Sequence, residues 1–336
     1  MASMRNVLLI GMGPTTQSAL QSLAMRCRVV GVVRKVEAAA ADPVVAEAQQ
    51  LGIPVFGDTS IAALRDLIKR LHPDCVVISS FDRILPPDLI DACPFVNVHY
   101  APLPRYRGRA TVNWAVINGE PFTAITIHVV DQGLDTGNVL FQRPVAITGD
   151  DTVRDLYDRL NQLQREHLGD TVANFLDGHA GVPQSAEPAT YGCTRLPADG
   201  EIDWTAPTER IAALIRGLDK PFPGAFTYLK TRRIVIWRAK VLDMPLNYTG
   251  RVPGRIVNVS RTEGYVDVLT GDGVLRIYEV EAEPDGPAPA SAVIRSVRET
   301  LGLRPAELLS RIEALEREIA WLREQVLMSR EKHVHI

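Results

Sequence analysis

The chain has 336 residues, 46% of them hydrophobic, enough apolar material for a sizeable core and, at this length, for two domains. A net charge of −3 excludes a global basic field of the kind that gathers nucleic acid. The four cysteines, Cys27, Cys75, Cys93 and Cys193, have no CxxC spacing, which suits reduced thiols in a cytoplasmic protein better than a disulfide frame or a zinc site.

The N-terminus runs directly into Asn6–Ile10, an apolar run too short to span a bilayer and without a cleavage pattern, so it reads as a first strand. A helix is expected over Thr16–Arg26, a strand over Val29–Val33 and an alanine-rich helix over Val36–Leu51. Pro54–Phe56 (strand), Ile61–Leu71 (helix), Cys75–Ile78 (strand), Pro87–Ala92 (helix) and a strand through Asn97 continue the alternation. Strands alternating with helices predict an α/β fold with a mainly parallel, doubly wound, Rossmann-like sheet. Ala124–Val130 and Asn138–Ile147 read as extended, and Thr152–Leu176 as a long amphipathic helix.

The Gly-, Pro-, Ala- and Thr-rich stretch Gly178–Pro207 reads as a linker. After a short helix at Glu209–Arg216 come five short extended runs, Ala225–Leu229, Ile234–Val241, Gly254–Val259, Tyr265–Leu269 and Val274–Glu279, with turn signals such as Gly271-Asp272-Gly273 between them. They predict a small, open, OB-like β-barrel. The expected division is a catalytic domain over residues 1–183, a linker over 184–206, a β-barrel domain over 207–287 and a helix over 297–330.

The most informative segment is Asn97-Val98-His99-Tyr100-Ala101-Pro102-Leu103-Pro104-Arg105-Tyr106-Arg107-Gly108, followed by Gly133-Leu134-Asp135-Thr136-Gly137. On a strand, alternate side chains share a face, so Asn97 and His99 point the same way, roughly 7 Å apart. They stand at a strand's C-terminal end, where open α/β sheets bind ligands. With Asp135 arriving from a glycine-bracketed loop, an amide, an imidazole and a carboxylate can polarise a carbonyl and manage one proton. Those are the requirements of acyl transfer without a covalent enzyme intermediate. Arg105, Arg107 and Arg109 form a basic cluster able to clamp a phosphate or carboxylate, with Arg107 or Arg109 the expected contact.

Other motifs carry less. Gly11-Met12-Gly13 follows the first strand, but Thr16 replaces the third glycine of a dinucleotide fingerprint, and the second strand ends at Arg34-Lys35 instead of an acid. A tight turn is therefore favoured over NAD binding. Cys93 precedes the Asn97 strand in a context that does not activate a thiol and is assigned to packing. His128 is in phase to face the same cleft and is given a structural role. His72, His167 and His179 lack ligand spacing, and no metal is expected.

The Asn-x-His strand, the Leu-Pro-Arg-Tyr-Arg-Gly loop and the Leu-Asp-Thr-Gly loop resemble, in order and approximate spacing, the folate-dependent formyltransferases. Ile215–Leu218 and Pro221–Tyr228 are similar to the start of the C-terminal domain in the methionyl-tRNA and amino-sugar branches of that family. The likeness spans roughly residues 5 to 283. It implies 10-formyltetrahydrofolate as donor and Asn97, His99 and Asp135 as catalytic residues. It further implies donor binding by the loops Phe81-Asp82-Arg83-Ile84-Leu85 and Val130-Asp131. Acceptor contacts are expected from Gly11, Met12, Tyr100, Arg105, Arg107, Gly108 and Arg109.

The resemblance leaves the amine open. Methionyl-tRNA formyltransferases carry a basic insertion after the second strand, whereas Val36–Asp42 is short, apolar and acidic here. Residues 207–287 hold 12 Lys and Arg against 10 Asp and Glu, hardly a phosphate-tracking surface. The expected partners are therefore the folate donor and a small-molecule amine, first a nucleotide-linked amino sugar, then an N-hydroxyornithine, with methionyl-tRNA third. No membrane is expected, and nucleic acid is disfavoured. A formyltetrahydrofolate hydrolase would share the three residues, but such enzymes carry an N-terminal regulatory domain, and this chain begins at strand one. In the terminal helix Ile312, Ile319 and Val326 alternate with Leu308, Leu315 and Leu322 in a heptad seam, flanked by charges that would match in a parallel homodimer.

Overall fold

The computed structural model describes residues 4–35, 42–243 and 246–334, the side chains of Glu307 and 327–334 excepted. The chain divides into two compact units, one of residues 1–197 and 216–222, the other of 198–215 and 223–336.

The first unit begins β1 (Asn6–Ile10), α1 (Thr15–Arg26), β2 (Arg28–Val33), α2 (Pro43–Gln50), β3 (Val55–Phe56), α3 (Ile61–Leu71), β4 (Cys75–Ser79), α4 (Pro87–Ala92) and β5 (Phe95–His99). It continues through β6 (Arg107–Gly108), α5 (Thr111–Ile117), β7 (Phe122–Val129), β8 (Val139–Ala146), α6 (Val153–Leu176) and β9 (Tyr191–Gly192). The main sheet has seven strands in the order β3-β2-β1-β4-β5-β7-β8. The first five are parallel, and β7 and β8 run antiparallel to their neighbours.

Period-two alternation in β1 sends its side chains into two separate cores. Val7 and Leu9 pack with Leu20 and Leu23 of α1 and Leu156 and Leu160 of α6. Leu8 and Ile10 pack on the other face with Leu64 and Leu67 of α3 and Leu89 of α4. Local chemistry sets the ends of some helices. The Ser60 hydroxyl accepts from Ala63 N at the start of α3, and His72, left-handed at φ 44°, ends it. Thr152 and Asp155 form a reciprocal capping box at the head of α6.

Several expectations need adjustment. The helix expected over 36–51 is present as Pro43–Gln50, its N-cap Asp42 accepting from Val44 N and Val45 N. Residues 36–41, on which the argument about a basic insertion rests, lie outside the described residues. The expected linker is built into the first unit as far as residue 197, because β9 pairs in parallel with β6. The short helix α5 has no counterpart in the sequence reading, being too short to display a period.

The second unit holds α7 (Thr208–Gly217, its last two residues in the first unit), β10 (Ala225–Leu229), β11 (Arg232–Val241), β12 (Ile256–Val259), β13 (Val266–Leu269), β14 (Val274–Glu281), β15 (Pro287–Pro289), α8 (Ala290–Val293) and α9 (Pro305–Val334). Its strands form an antiparallel sheet in the order β10-β11-β14-β13-β12, with β15 added to β14. The ladder is open: among the described residues β10 and β12 do not pair, and the expected barrel is not closed by strand pairing. Single bridges join Leu229 to Leu301 and Arg255 to Thr300. On α9 the seam residues Ile312, Leu315, Ile319 and Leu322 are exposed by 41–50%. Among the described residues no helix is long and apolar enough to cross a membrane.

Candidate active site

A cleft of about 980 Å³ opens at the C-terminal ends of β1, β4 and β5, where the strand order of the sheet reverses. The seven residues expected at the donor, Phe81, Asp82, Arg83, Ile84, Leu85, Val130 and Asp131, all line it. Phe81, Leu85, Ile90 and Val130 give this part of the wall an apolar character suited to a planar heterocycle. The Asp131 carboxylate is itself engaged: it accepts from Gly133 N and the Thr136 hydroxyl, bracing the loop that carries Asp135.

Asn97, His99 and Asp135 converge. Asn97 and His99 occupy the end of β5, and Asp135 comes from the β7–β8 loop with its backbone left-handed at φ 52°. A Cβ on Gly137 would stand 1.9 Å from the Val129 carbonyl oxygen, so glycine is what lets this loop close against its own strand. Asp135 Oδ2 accepts from Gly108 N at 2.8 Å and lies 3.8 Å from His99 Nδ1. Asp135 Oδ1 accepts from Asn97 Nδ2 at 3.4 Å and lies 3.5 Å from His128 Nε2. Burial opposes the Asp135 charge, yet the nearby His128 and His99 imidazoles and the Gly108 N–H outweigh it and hold the carboxyl down to about 2.

His99 Nε2 lies 2.7 Å from the Tyr106 carbonyl oxygen, which can only accept, so this nitrogen carries the proton and Nδ1 faces Asp135. Burial pushes His99 below its ordinary value; Asp135 and the Tyr106 carbonyl pull the other way without prevailing. The two shifts are therefore not mirror images, because His99 is the more deeply buried partner. Burial thus favours the neutral form of this imidazole over the charged one.

The acceptor assignments divide. Met12, Tyr100, Gly108 and Arg109 line the cleft, whereas Gly11, Arg105 and Arg107 lie outside its wall. Gly11 is packed so tightly that a Cβ would meet Thr16 Oγ1 at 2.1 Å. Arg105 is drawn away by Glu120 at 2.6 Å, and Arg107 donates to Gln184 Oε1 at 2.6 Å and to the Tyr191 hydroxyl. Arg109 crosses the cleft to the Asp82 carbonyl. The Tyr100 hydroxyl is buried against Asn161 and Gln164, so its ring faces the cleft while its polar end is committed.

Other groups stand at the site to which the sequence reading gave no role there. His128, expected to be structural, stands opposite Asn97 in the β5–β7 register and 3.1 Å from its amide nitrogen. Its alternation along β7 was the available signal. Gln184 donates to the carbonyls of Asp135 and Gly137, and Gly192, Cys193 and Thr194 form part of the wall. This stretch has no periodicity, and its pairing with Arg107-Gly108 and the bond from Trp114 Nε1 to the Cys193 carbonyl bring it here. Cys93, 6% exposed and with its thiol pushed up to about 11 by burial, is packing, as its sequence context predicts.

Comparison with known proteins identifies the family. The chain matches the Formyl transferase family over residues 18–172 and the Formyl transferase, C-terminal domain, over 196–298. It is 36% identical over 248 residues to the methionyl-tRNA formyltransferase of Caldanaerobacter subterraneus subsp. tengcongensis, covering 72% of this chain and 78% of the relative. It is also 36% identical over 272 residues to that of Geobacter sulfurreducens, covering 79% and 83%. The N-formyltransferase of Helicobacter canadensis, solved with folinic acid and dTDP-3-aminofucose, shares the fold at a TM-score of 0.62 and 18% identity, covering 82% of this chain and 98% of that one. The convergent amide, imidazole and carboxylate thus sit in a chain that belongs to the formyltransferase family, enzymes that draw a one-carbon unit from 10-formyltetrahydrofolate.

Proposed function

We propose that this enzyme transfers the formyl group to the primary amine of a small acceptor, in first place a nucleotide-linked amino sugar. The observation that carries the transfer is the meeting of Asn97, His99 and Asp135 on the cleft wall. Phe81–Leu85 and Val130 hold the donor's ring system between apolar side chains and main chain. Asn97 Nδ2 donates to the oxygen that becomes negative as the amine adds to the formyl carbon. His99 Nδ1, neutral beforehand, takes the proton that the attacking nitrogen must lose and returns it to the departing N10. Asp135 stays ionised throughout and stabilises the transient imidazolium at 3.8 Å.

Electrostatics supports a small acceptor. The chain is acidic overall and residues 207–287 are nearly neutral, so many phosphate contacts would find few free cations. Arg109 on the wall is suited to a single phosphate or carboxylate. A second reading, methionyl-tRNA, is favoured by the identity of 36% to enzymes of that name.

An acceptor screen with 10-formyltetrahydrofolate decides between them, run on amino-sugar nucleotides, N-hydroxyornithine and charged initiator tRNA at low and high salt. Turnover of a sugar nucleotide with weak salt dependence is expected. Strongly salt-sensitive turnover of the tRNA alone would overturn the preference, and formate release without an amine would instead mark a hydrolase.

The terminal helix is assigned to a parallel homodimer. Its exposed β-branched and leucine seam needs burial, and Arg311 and Glu318 would meet the partner's Glu316 and the partner's Arg323.

A further inference from the structure

His128 is buried at 1% exposure beneath the reacting groups, and the mechanism above leaves it without a task. Its protonation pattern follows from its neighbours. Nδ1 stands 2.8 Å from the Val129 carbonyl oxygen, which can only accept, so Nδ1 carries the hydrogen. Nε2 stands 3.1 Å from Asn97 Nδ2 and 3.5 Å from Asp135 Oδ1. The same Asn97 atom lies 3.4 Å from the Asp135 carboxylate, again an acceptor without hydrogens, so the NH₂ end of the amide must face both groups. A hydrogen on His128 Nε2 would then oppose an N–H at 3.1 Å. The consistent arrangement has a bare Nε2 accepting one Asn97 hydrogen while Asp135 Oδ1 accepts the other. The remaining titratable neighbour, His99, meets His128 edge-on with ring centroids 6.4 Å apart.

These two contacts differ in kind. The His128 bond is the shorter and joins residues fixed opposite each other in adjacent strands. The Asp135 bond is longer and comes from a loop, and that carboxylate already has the Gly108 N–H at 2.8 Å on its other oxygen. Resting on the formyl-transfer reading, we propose that His128 is the positioning residue of the oxyanion donor. Its bare Nε2 retains one hydrogen of the Asn97 amide throughout, and the other hydrogen leaves Asp135 Oδ1 for the formyl oxygen as negative charge develops there. Without His128 the amide is free to turn its carbonyl end toward the reacting carbon, where it repels the oxyanion.

Two measurements test this on the full chain. In ¹⁵N NMR of histidine-labelled protein, His128 should show a protonated Nδ1 and a bare, hydrogen-bonded Nε2 whose resonance moves on Asn97→Ala. An Nε2–H tautomer, or no response to Asn97→Ala, overturns the proposal. The second uses formyl transfer from 10-formyltetrahydrofolate to hydroxylamine, a nucleophile that needs no acceptor pocket. His128→Met should lower kcat by about 10–100-fold with the donor KM little changed. His128→Gln, which restores an acceptor, should recover much of that loss. In an Asn97→Ala background His128→Met should cost nothing further, since both changes remove the same hydrogen bond. Equal losses in the two backgrounds would sink the positioning role while leaving formyl transfer intact. A wild-type rate for Asn97→Ala alone would sink the catalytic reading itself.

Discussion

The backbone N–H of Gly108 donates to Asp135 Oδ2 at 2.8 Å, tying the arginine-rich loop after β5 to the β7–β8 loop. Gly108 is itself held by the pairing of β6 with β9, whereas the β7–β8 loop has no strand or helix at Asp135, so this bond helps fix where the carboxylate stands.

Asp135 is ionised at a cost that its partners more than offset, which makes it a source of stability as well as of chemistry. Its folded value of about 2 lies below the ordinary 3.8, so its contribution is complete above pH 3.8 and disappears as pH falls toward 2. The difference corresponds to roughly 2 kcal/mol. Asp135→Asn, tolerated at a left-handed φ, should lose about that much at pH 7 in urea unfolding, and the gap to wild type should close toward pH 2.

Asn97→Ala should reduce kcat on the order of 10²–10³-fold with a much smaller change in KM, since an oxyanion donor acts in the transition state. Steady-state kinetics on the acceptor found by the screen would measure it. A rise in KM at constant kcat would instead place Asn97 in ground-state binding.

His99 is pushed below 6.5 by burial, and its neutral form accepts the proton. The neutral form persists as pH falls until the lowered value is reached, so the acid limb of the kcat profile should lie below pH 6.5. The stability carried by neutral His99 has the same sign: complete above 6.5 and lost on acidification. An acid limb above pH 6.5 would mean that the carboxylate prevails over burial.

Gly137→Ala forces a methyl group against the Val129 carbonyl and must displace the loop. A loss of about 1–3 kcal/mol in stability is expected. Activity should fall further than stability because Asp135 moves with the loop. Thermal unfolding and kcat measured on the same preparation separate the two effects.

Lysine at both Ile312 and Ile319 would bury like charges in the helical seam. Light scattering should then report the 37.0 kDa chain in place of twice that mass. An unchanged mass would remove the homodimer.

The sequence by itself determined the sheet and its two cores, because uninterrupted runs such as Val7–Ile10 have one low-energy destination and the helices between them enforce parallel crossovers. Strand alternation put Asn97 and His99 on one face, and the resemblance to the formyltransferases joined Asp135 to them. Tertiary structure decided what local rules do not encode. Arg105 and Arg107 were basic residues in the right loop, but Glu120 and Gln184, distant in sequence, turn them aside. His128 was one more alternating residue until the antiparallel register set it against Asn97. The proton on His99 was decided the same way: a charge depends on how much water is excluded around it, and that is a property of the whole packed fold.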